Sequence, residues 1–257
     1  MAVNNIAIMA RDGEPLHATW HEAPDSAENR KPFVILCHGF TGNREEWGRF
    51  PAMANALAET GIDAITFDFT GSGENVRKPV TLARQIEDLV DVSAWAREQG
   101  YERIGTLGLS FGGLTALLAP LPERKVAVFW APAFRMKNAL GNARLISKAI
   151  TCKITKHPKK INAANGALIV NAAFYEGILK SEALVKPALQ QFAVPALIVQ
   201  GLSDRTVRPA RTRDAFGLMP ADEHHRLVEI PGAGHGFDGD ALARCISETR
   251  AWVIQYI

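Results

Sequence analysis

The chain has 257 residues, 47% of them hydrophobic and 22% charged, with a formal net charge of +2 and three cysteines. A chain of this length can bury roughly 70–75% of its unfolded surface in one core, so it needs no disulfide or metal staple. The near-neutral balance argues against a dedicated nucleic-acid binder, and Cys37, Cys152 and Cys245 are too few and too scattered for a disulfide framework or a zinc site. The opening MAVNNIAIMARDGE has no basic segment ahead of its short apolar stretch, and no run of about 18 apolar residues follows. The expectation is a cytoplasmic protein without a membrane span.

NIAIMA and LHATW, separated by RDGEP, predict an opening hairpin. FVILCHG reads as a buried strand stopped by glycine. Helical spacing then runs from Glu45 to Thr60, with Phe50, Met53, Leu57 and Ala58 on one side. DAITFDF is a second buried strand, Thr81 to Gln99 an amphipathic helix and RIGTLGL a third strand. FGGLTALLA follows as a helix and VAVFWAP as a fourth strand. Near the end come PALIVQG, RPARTRDAFGLM, HRLVEIPG and a closing helix from Asp240 to Gln255. Strands alternating with helices predict a mostly parallel sheet covered on both faces. Between Ala133 and Phe192 one crossover helix is replaced by about sixty residues, too many for a loop without structure. The expectation is one domain over 1–257 with an inserted cap at 133–192.

GLSFG places Ser110 where a buried strand turns directly into a helix. In a G-x-S-x-G turn, glycines let neighbouring backbone approach a strained serine and lift its hydroxyl above the sheet edge. A serine needs a base, and the base an acid, in the chain order serine, acid, histidine. His235 in PGAGHGF and Asp204 in LIVQGLSDRTV fit that order, each after a strand. Backbone N–H groups of Phe111 and of Phe40, in HGFTG, are the expected donors to an oxyanion. Ser72 reads as a turn residue, and Asp238 and Asp240 as caps of the final helix. His38 reads as structural, and His224 and His225 as surface residues. No histidine pair has ligand spacing, so no metal is expected.

The landmarks HGFTG, DFTGSG, GLSFGG, GLSDRTV and GAGHGF together resemble the α/β-hydrolase family from Phe33 to the C-terminus. HGFTGNREEW and the long insertion look like the branch of cinnamoyl and feruloyl esterases and related bacterial carboxylesterases. Glu74, where many relatives carry serine, departs from that branch. The resemblance implies an α/β-hydrolase fold with an eight-stranded type of sheet, no cofactor, and a serine esterase using Ser110, Asp204 and His235. The substrate expected is a small-molecule ester, short-chain or hydroxycinnamate-like; a homodimer is left open.

Thioesterases, acylglycerol lipases, peptidases and acyltransferases share the plan, and a non-catalytic ligand-binding module is a rival of another class. Gly39, Trp47, Phe174 and Tyr175 are the candidate substrate contacts, the last two through a hairpin from NGALIVNAAFY. The insertion also carries Arg135, Lys137, Arg144, Lys148, Lys153, Lys156, Lys159 and Lys160 with no acid among them. Facing the entrance, that run would draw in anionic esters; otherwise it is a solvated face.

Overall fold

The computed structural model describes residues 1–24, 32–136 and 142–257. Strands β1 (Ala2–Met9) and β2 (Pro15–Glu22) form the predicted hairpin. The apolar runs become β3 (Pro32–Cys37), β4 (Asp63–Phe67), β5 (Arg103–Leu109) and β6 (Arg124–Trp130). Two strands of the inserted segment are β7 (Lys159–Ala163) and β8 (Gly166–Val170), and the last two of the main sheet are β9 (Ala196–Gly201) and β10 (His225–Ile230). The main sheet has eight strands in the order β1-β2-β4-β3-β5-β6-β9-β10. Only the β1–β2 and β2–β4 pairs are antiparallel. This is the α/β-hydrolase fold.

Both sheet faces are dry, and β3 shows how. Phe33, Ile35 and Cys37 point into one core while Val34 and Leu36 point into the other, the period of two that a strand imposes. Helices α1 (Arg49–Ala58) and, at the chain's end, α7 (Asp240–Tyr256) cover the second face. On the first face lie α2 (Leu82–Glu98), α3 (Phe111–Leu118) and α6 (Pro209–Phe216). Thr81 caps α2, its hydroxyl accepting from the Arg84 N–H.

The helix expected from Glu45 starts four residues late. Glu46, Trp47 and Gly48 all have positive φ, 42°, 54° and 88°, a left-handed stretch that a right-handed helix cannot contain. It forms a 3-10 turn, and α1 begins at Arg49.

The insertion contains α4 (Asn142–Thr155), the β7–β8 hairpin and α5 (Ala172–Gln190). The predicted hairpin is shifted. GALIV pairs with the preceding KKINA, whereas Phe174 and Tyr175 fall in the first turn of α5. Among the described residues the segment forms no core of its own. Leu145, Cys152, Phe174, Ile178 and Leu189 join the same cluster as Phe33 and Phe129. No helix among the described residues is long and apolar enough to cross a membrane.

Candidate active site

Ser110 stands between β5 and α3 with φ 53° and ψ −113°, a conformation that costs an L-residue of order 1–3 kcal/mol. Its neighbours show why the motif needs glycines. A Cβ on Gly108 would lie 2.5 Å from the Gly112 carbonyl oxygen, and one on Gly112 would lie 2.1 Å from that of Cys37. Two backbone bonds tie the turn to the end of β6, the Ser110 N–H to the Trp130 carbonyl and the Ala133 N–H to the Ser110 carbonyl, both 2.9 Å.

Asp204 lies in the turn after β9 and is buried. One carboxylate oxygen accepts from the Thr206 and Val207 N–H groups at 2.7 and 2.9 Å. The other accepts from His235 Nδ1 at 2.7 Å and from Gln200 Nε2 at 3.2 Å. Burial works against the charge, but these hydrogen bonds, led by that from His235, outweigh it and hold the carboxyl below its usual range. An acceptor-only carboxylate on Nδ1 places the ring proton there and leaves the Nε2 lone pair free. No hydrogen bond joins Ser110 Oγ to the His235 ring, but both residues line one cavity of about 710 Å³. Such contacts are often loose without substrate.

Phe40 and Phe111 line the same cavity. Phe111 opens α3, so its N–H has no carbonyl four residues back inside the helix. Among the described residues neither N–H is used in a backbone bond of a turn or loop. Gly39 and Trp47 also line the cavity, with Trp47 exposed at its edge. Phe174 and Tyr175 do not line it. Both are 2% exposed, and Phe174 stacks on the Phe40 ring at 4.8 Å between centroids. Their place is behind the wall, because the first turn of α5 turns its aromatic face inward.

Glu46 is the residue that sequence reasoning missed. It is buried, lines the cavity and accepts the Gly39 N–H at 2.6 Å. Burial pushes its carboxyl up to about 7, against the opposing pull of the Gly39 N–H, Arg49 and His235. Gly42 is glycine for its sake, since a Cβ there would fall 2.0 Å from Glu46 Oε1. Arg49 then bridges two loops. Its guanidinium donates to the Glu46 carbonyl at 3.0 Å and to the Gly236 carbonyl beside His235, and pairs with Asp238 at 3.2 Å. The second missed residue, Gln200, is a polar side chain at the end of a buried strand. Thr212 Oγ1 donates to its amide oxygen at 2.6 Å. The signal for both is a polar residue close to a motif; Glu46 is buried by a turn that no motif specifies, and Gln200 by the strand that ends beside Asp204.

Other readings shift as well. Asp238 is exposed and pairs with Arg49 instead of capping α7; the cap position is Gly239, and Asp240 is the first helical residue. His225 is buried, with Nδ1 on Asp222 at 2.7 Å and Nε2 on the Phe192 carbonyl at 3.1 Å, because β10 is covered at its start. His38 bridges backbone on both sides. Nδ1 meets the Gly39 carbonyl at 2.7 Å, and Nε2 accepts the Phe69 N–H at 3.1 Å. Glu74 pairs with Arg44, which also reaches Asp68, closing the loop after β4.

Among the described residues no member of the basic run lines the cavity, although Arg135 lies next to it, beside Phe134 and Ala133. Lys153 and Lys156 line a separate hollow with Glu176 and Asn171, and Lys159 and Lys160 lie on exposed β7. Lys137 is outside the described residues, as is the Arg144 side chain. Among the described residues no cluster of three His, Cys, Asp or Glu stands ready to hold a metal.

A family model described as the alpha/beta hydrolase family matches residues 34–246. The chain belongs to this family. Among solved structures it is similar to ferulic-acid-bound Est1E from Butyrivibrio proteoclasticus, with TM-score 0.79 and 22% identity over 97% of this chain and 98% of that one. It is also similar to a putative hydrolase from Agrobacterium vitis S4, with TM-score 0.78 and 18% identity over 98% and 100%. A monoacylglycerol lipase from Paleococcus ferrophilus gives TM-score 0.77 and 16% identity over 93% and 98%. These likenesses carry the fold. An uncharacterized 31.7 kDa Escherichia coli protein from the traX-finO intergenic region is 39% identical over 102 residues, 38% of this chain and 35% of that protein. The chain thus spans about a third of the length of the curated relatives it matches.

Proposed function

We propose that the protein is a serine carboxylic-ester hydrolase. Ser110 Oγ attacks the ester carbonyl carbon while His235 Nε2 takes its proton. Asp204 keeps the other ring proton on Nδ1 and stabilises the imidazolium that forms. The oxygen that gains charge is held by the Phe40 and Phe111 N–H groups. Collapse of the tetrahedral intermediate breaks the bond to the alcohol, which leaves with the proton from His235. Water then adds to the acyl-enzyme by the same route, giving the free acid and restoring Ser110.

The observation that carries this reading is the Asp204–His235 hydrogen bond at 2.7 Å beside a strained Ser110 in the wall of the same cavity. That cavity falls in the size range of small-molecule sites and is lined in part by Phe40, Leu109, Phe111, Val207 and Met136. Such a space suits short or aromatic acyl groups better than long flexible chains, and the structurally similar Est1E binds ferulic acid. Of the inserted segment, Ala133 and Met136 line this cavity. The test is labelling by a fluorophosphonate with intact mass, run beside p-nitrophenyl esters of graded length and methyl ferulate. One adduct on Ser110 and turnover falling beyond short chains are expected. No adduct and no turnover of any ester would leave a ligand-binding module as the better reading.

A further inference from the structure

A second cavity, of about 260 Å³, adjoins the first and shares Ala133, Thr206 and Val207 with it. Four arginines line it, Arg135, Arg205, Arg208 and Arg211, and no Asp or Glu does. Arg135 has Glu182 at 3.2 Å and Arg211 has Asp214 at 3.7 Å. Among the described residues Arg205 and Arg208 have no carboxylate partner. They sit on the turn that carries Asp204. That turn is pinned by the Thr206 and Val207 N–H bonds to Asp204 Oδ1, so the backbone that presents the two guanidiniums is fixed before anything binds.

We propose that this cavity binds a carboxylate carried by the substrate, so that the preferred esters are anionic. The proposal rests on the ester-hydrolase reading and names its substrate class. A guanidinium presents a planar fork that meets a carboxylate with two parallel hydrogen bonds, and a concave, acid-free wall desolvates the pair more than an open face does. The shared residues Ala133, Thr206 and Val207 put the charged end of the ligand beside the cavity that holds the reacting carbonyl. The four arginines are themselves exposed, and what sets them apart from an ordinary basic face is the concavity, the wall shared with the first cavity and a lining without carboxylates.

The experiment compares kcat/KM for matched pairs of esters. The acyl-side pair is p-nitrophenyl hydrogen glutarate and p-nitrophenyl valerate; the alcohol-side pair is 4-butyryloxybenzoate and phenyl butyrate. One anionic ester should exceed its neutral partner by on the order of tenfold to a hundredfold, mainly through KM, since a hydrogen bond to a charged group is worth about 1.5–3 kcal/mol. The pair that shows the difference identifies the side of the ester that enters the cavity. In the Arg205→Ser, Arg208→Ser double variant that ratio should collapse towards one, and the single variants should give intermediate ratios, which also serves if the double variant folds poorly. Neutral esters turned over as fast as both anionic ones, or an unchanged ratio in the variants, would overturn the proposal while leaving the hydrolase reading standing. If no ester is turned over, titration calorimetry of monomethyl glutarate decides. Heat lost in the double variant supports the cavity alone; no heat in the wild type rejects it.

Discussion

The loops after β3, β5, β9 and β10 are held by polar contacts to single atoms, whereas the segment between β6 and β9 is held by an apolar face. In the loops, Gly39 meets Glu46, Ser110 meets Trp130 and Ala133 through backbone, and Asp204 collects four donors. In the insertion, Leu145, Cys152, Phe174, Ile178 and Leu189 pack into the shared core while Ile146, Ile150 and Ile154 face out. Polar threads also tie the insertion to the rest of the chain, among them the Val80 N–H donating to the Ile169 carbonyl at 2.9 Å. The Ala164 N–H donates to the Thr41 carbonyl at 2.9 Å, and Arg77 joins the Gly71 and Gly73 carbonyls to that of Asn165. The contrast is between point contacts that fix single atoms in the loops and buried area that holds the insertion to the core. It can be broken by variants on either side.

Ser110→Ala should have the largest effect, since loss of the nucleophile in a serine hydrolase costs roughly a million-fold in turnover. A variant that kept more than about a hundredth of the wild-type rate would sink the assignment. Its folding should be intact, because the backbone strain at this position is unchanged and the serine hydroxyl has no hydrogen bond to lose among the described residues.

Asp204→Asn comes next, at on the order of ten-thousand-fold in kcat, because an amide oxygen and nitrogen no longer specify the Nδ1–H tautomer. Asp238→Asn, only three residues past His235, should cost little, since its partner Arg49 keeps its bonds to the Glu46 and Gly236 carbonyls. Steady-state kinetics on one p-nitrophenyl ester separates the two. The reverse ranking would move the acid to the far side of the histidine.

The same contrast explains what could be read in advance. GLSFG, GLSDRTV and GAGHGF were legible because each demands particular residues within a few positions: glycines where backbone crowds the serine, a carboxylate in a turn of its own N–H groups, a histidine after the last strand. The alternation of Phe33, Val34, Ile35, Leu36 and Cys37 between two cores was legible for the same local reason. Glu46 was not. Its burial needs three successive residues with positive φ, and only one of them, Gly48, is a residue that advertises it. Phe174 and Tyr175 were misplaced because an apolar, partly β-branched run fits a strand or a helix until its neighbours are known. Of the arginines of the second cavity only Arg135 belonged to the basic run singled out from the sequence; Arg205, Arg208 and Arg211 were passed over, since charge density along a sequence says nothing about curvature.

Glu46 gives a smaller, pH-dependent effect. Its carboxyl is raised to about 7 in the folded chain from an ordinary 4.5, so the folded state favours the protonated form. The stability that this confers is complete below the ordinary value and is lost as pH rises through about 7. The window corresponds to at most on the order of 3 kcal/mol at full burial. Glu46→Gln keeps an acceptor for the Gly39 N–H without a titrating group. Urea unfolding at pH 5 and pH 8 should therefore show the wild type losing more stability than the variant. Asp88, also raised by burial, contributes equally to both proteins and cancels. Parallel losses would mean that Glu46 stays ionised and is neutralised by Arg49.

The smallest effect is expected on the inserted side. Lys153→Glu with Lys156→Glu reverses two charges of the basic run, and charge alone would make it a strong perturbation. Geometry says otherwise. Both lysines line a hollow that shares no residue with either cavity near Ser110, and Lys153 is already opposed by Glu176 at 3.7 Å. Exposed charges are screened beyond a Debye length of about 8 Å at physiological ionic strength. The ratio of kcat/KM for an anionic ester to that for its neutral partner should thus change by less than about twofold, within what surface ion pairs contribute. The same ratio should fall at least about tenfold in the Arg205→Ser, Arg208→Ser variant. A collapse caused by the lysine changes and not by the arginine changes would place anion capture on the insertion and make that segment, rather than the turn that carries Asp204, the part that chooses the substrate.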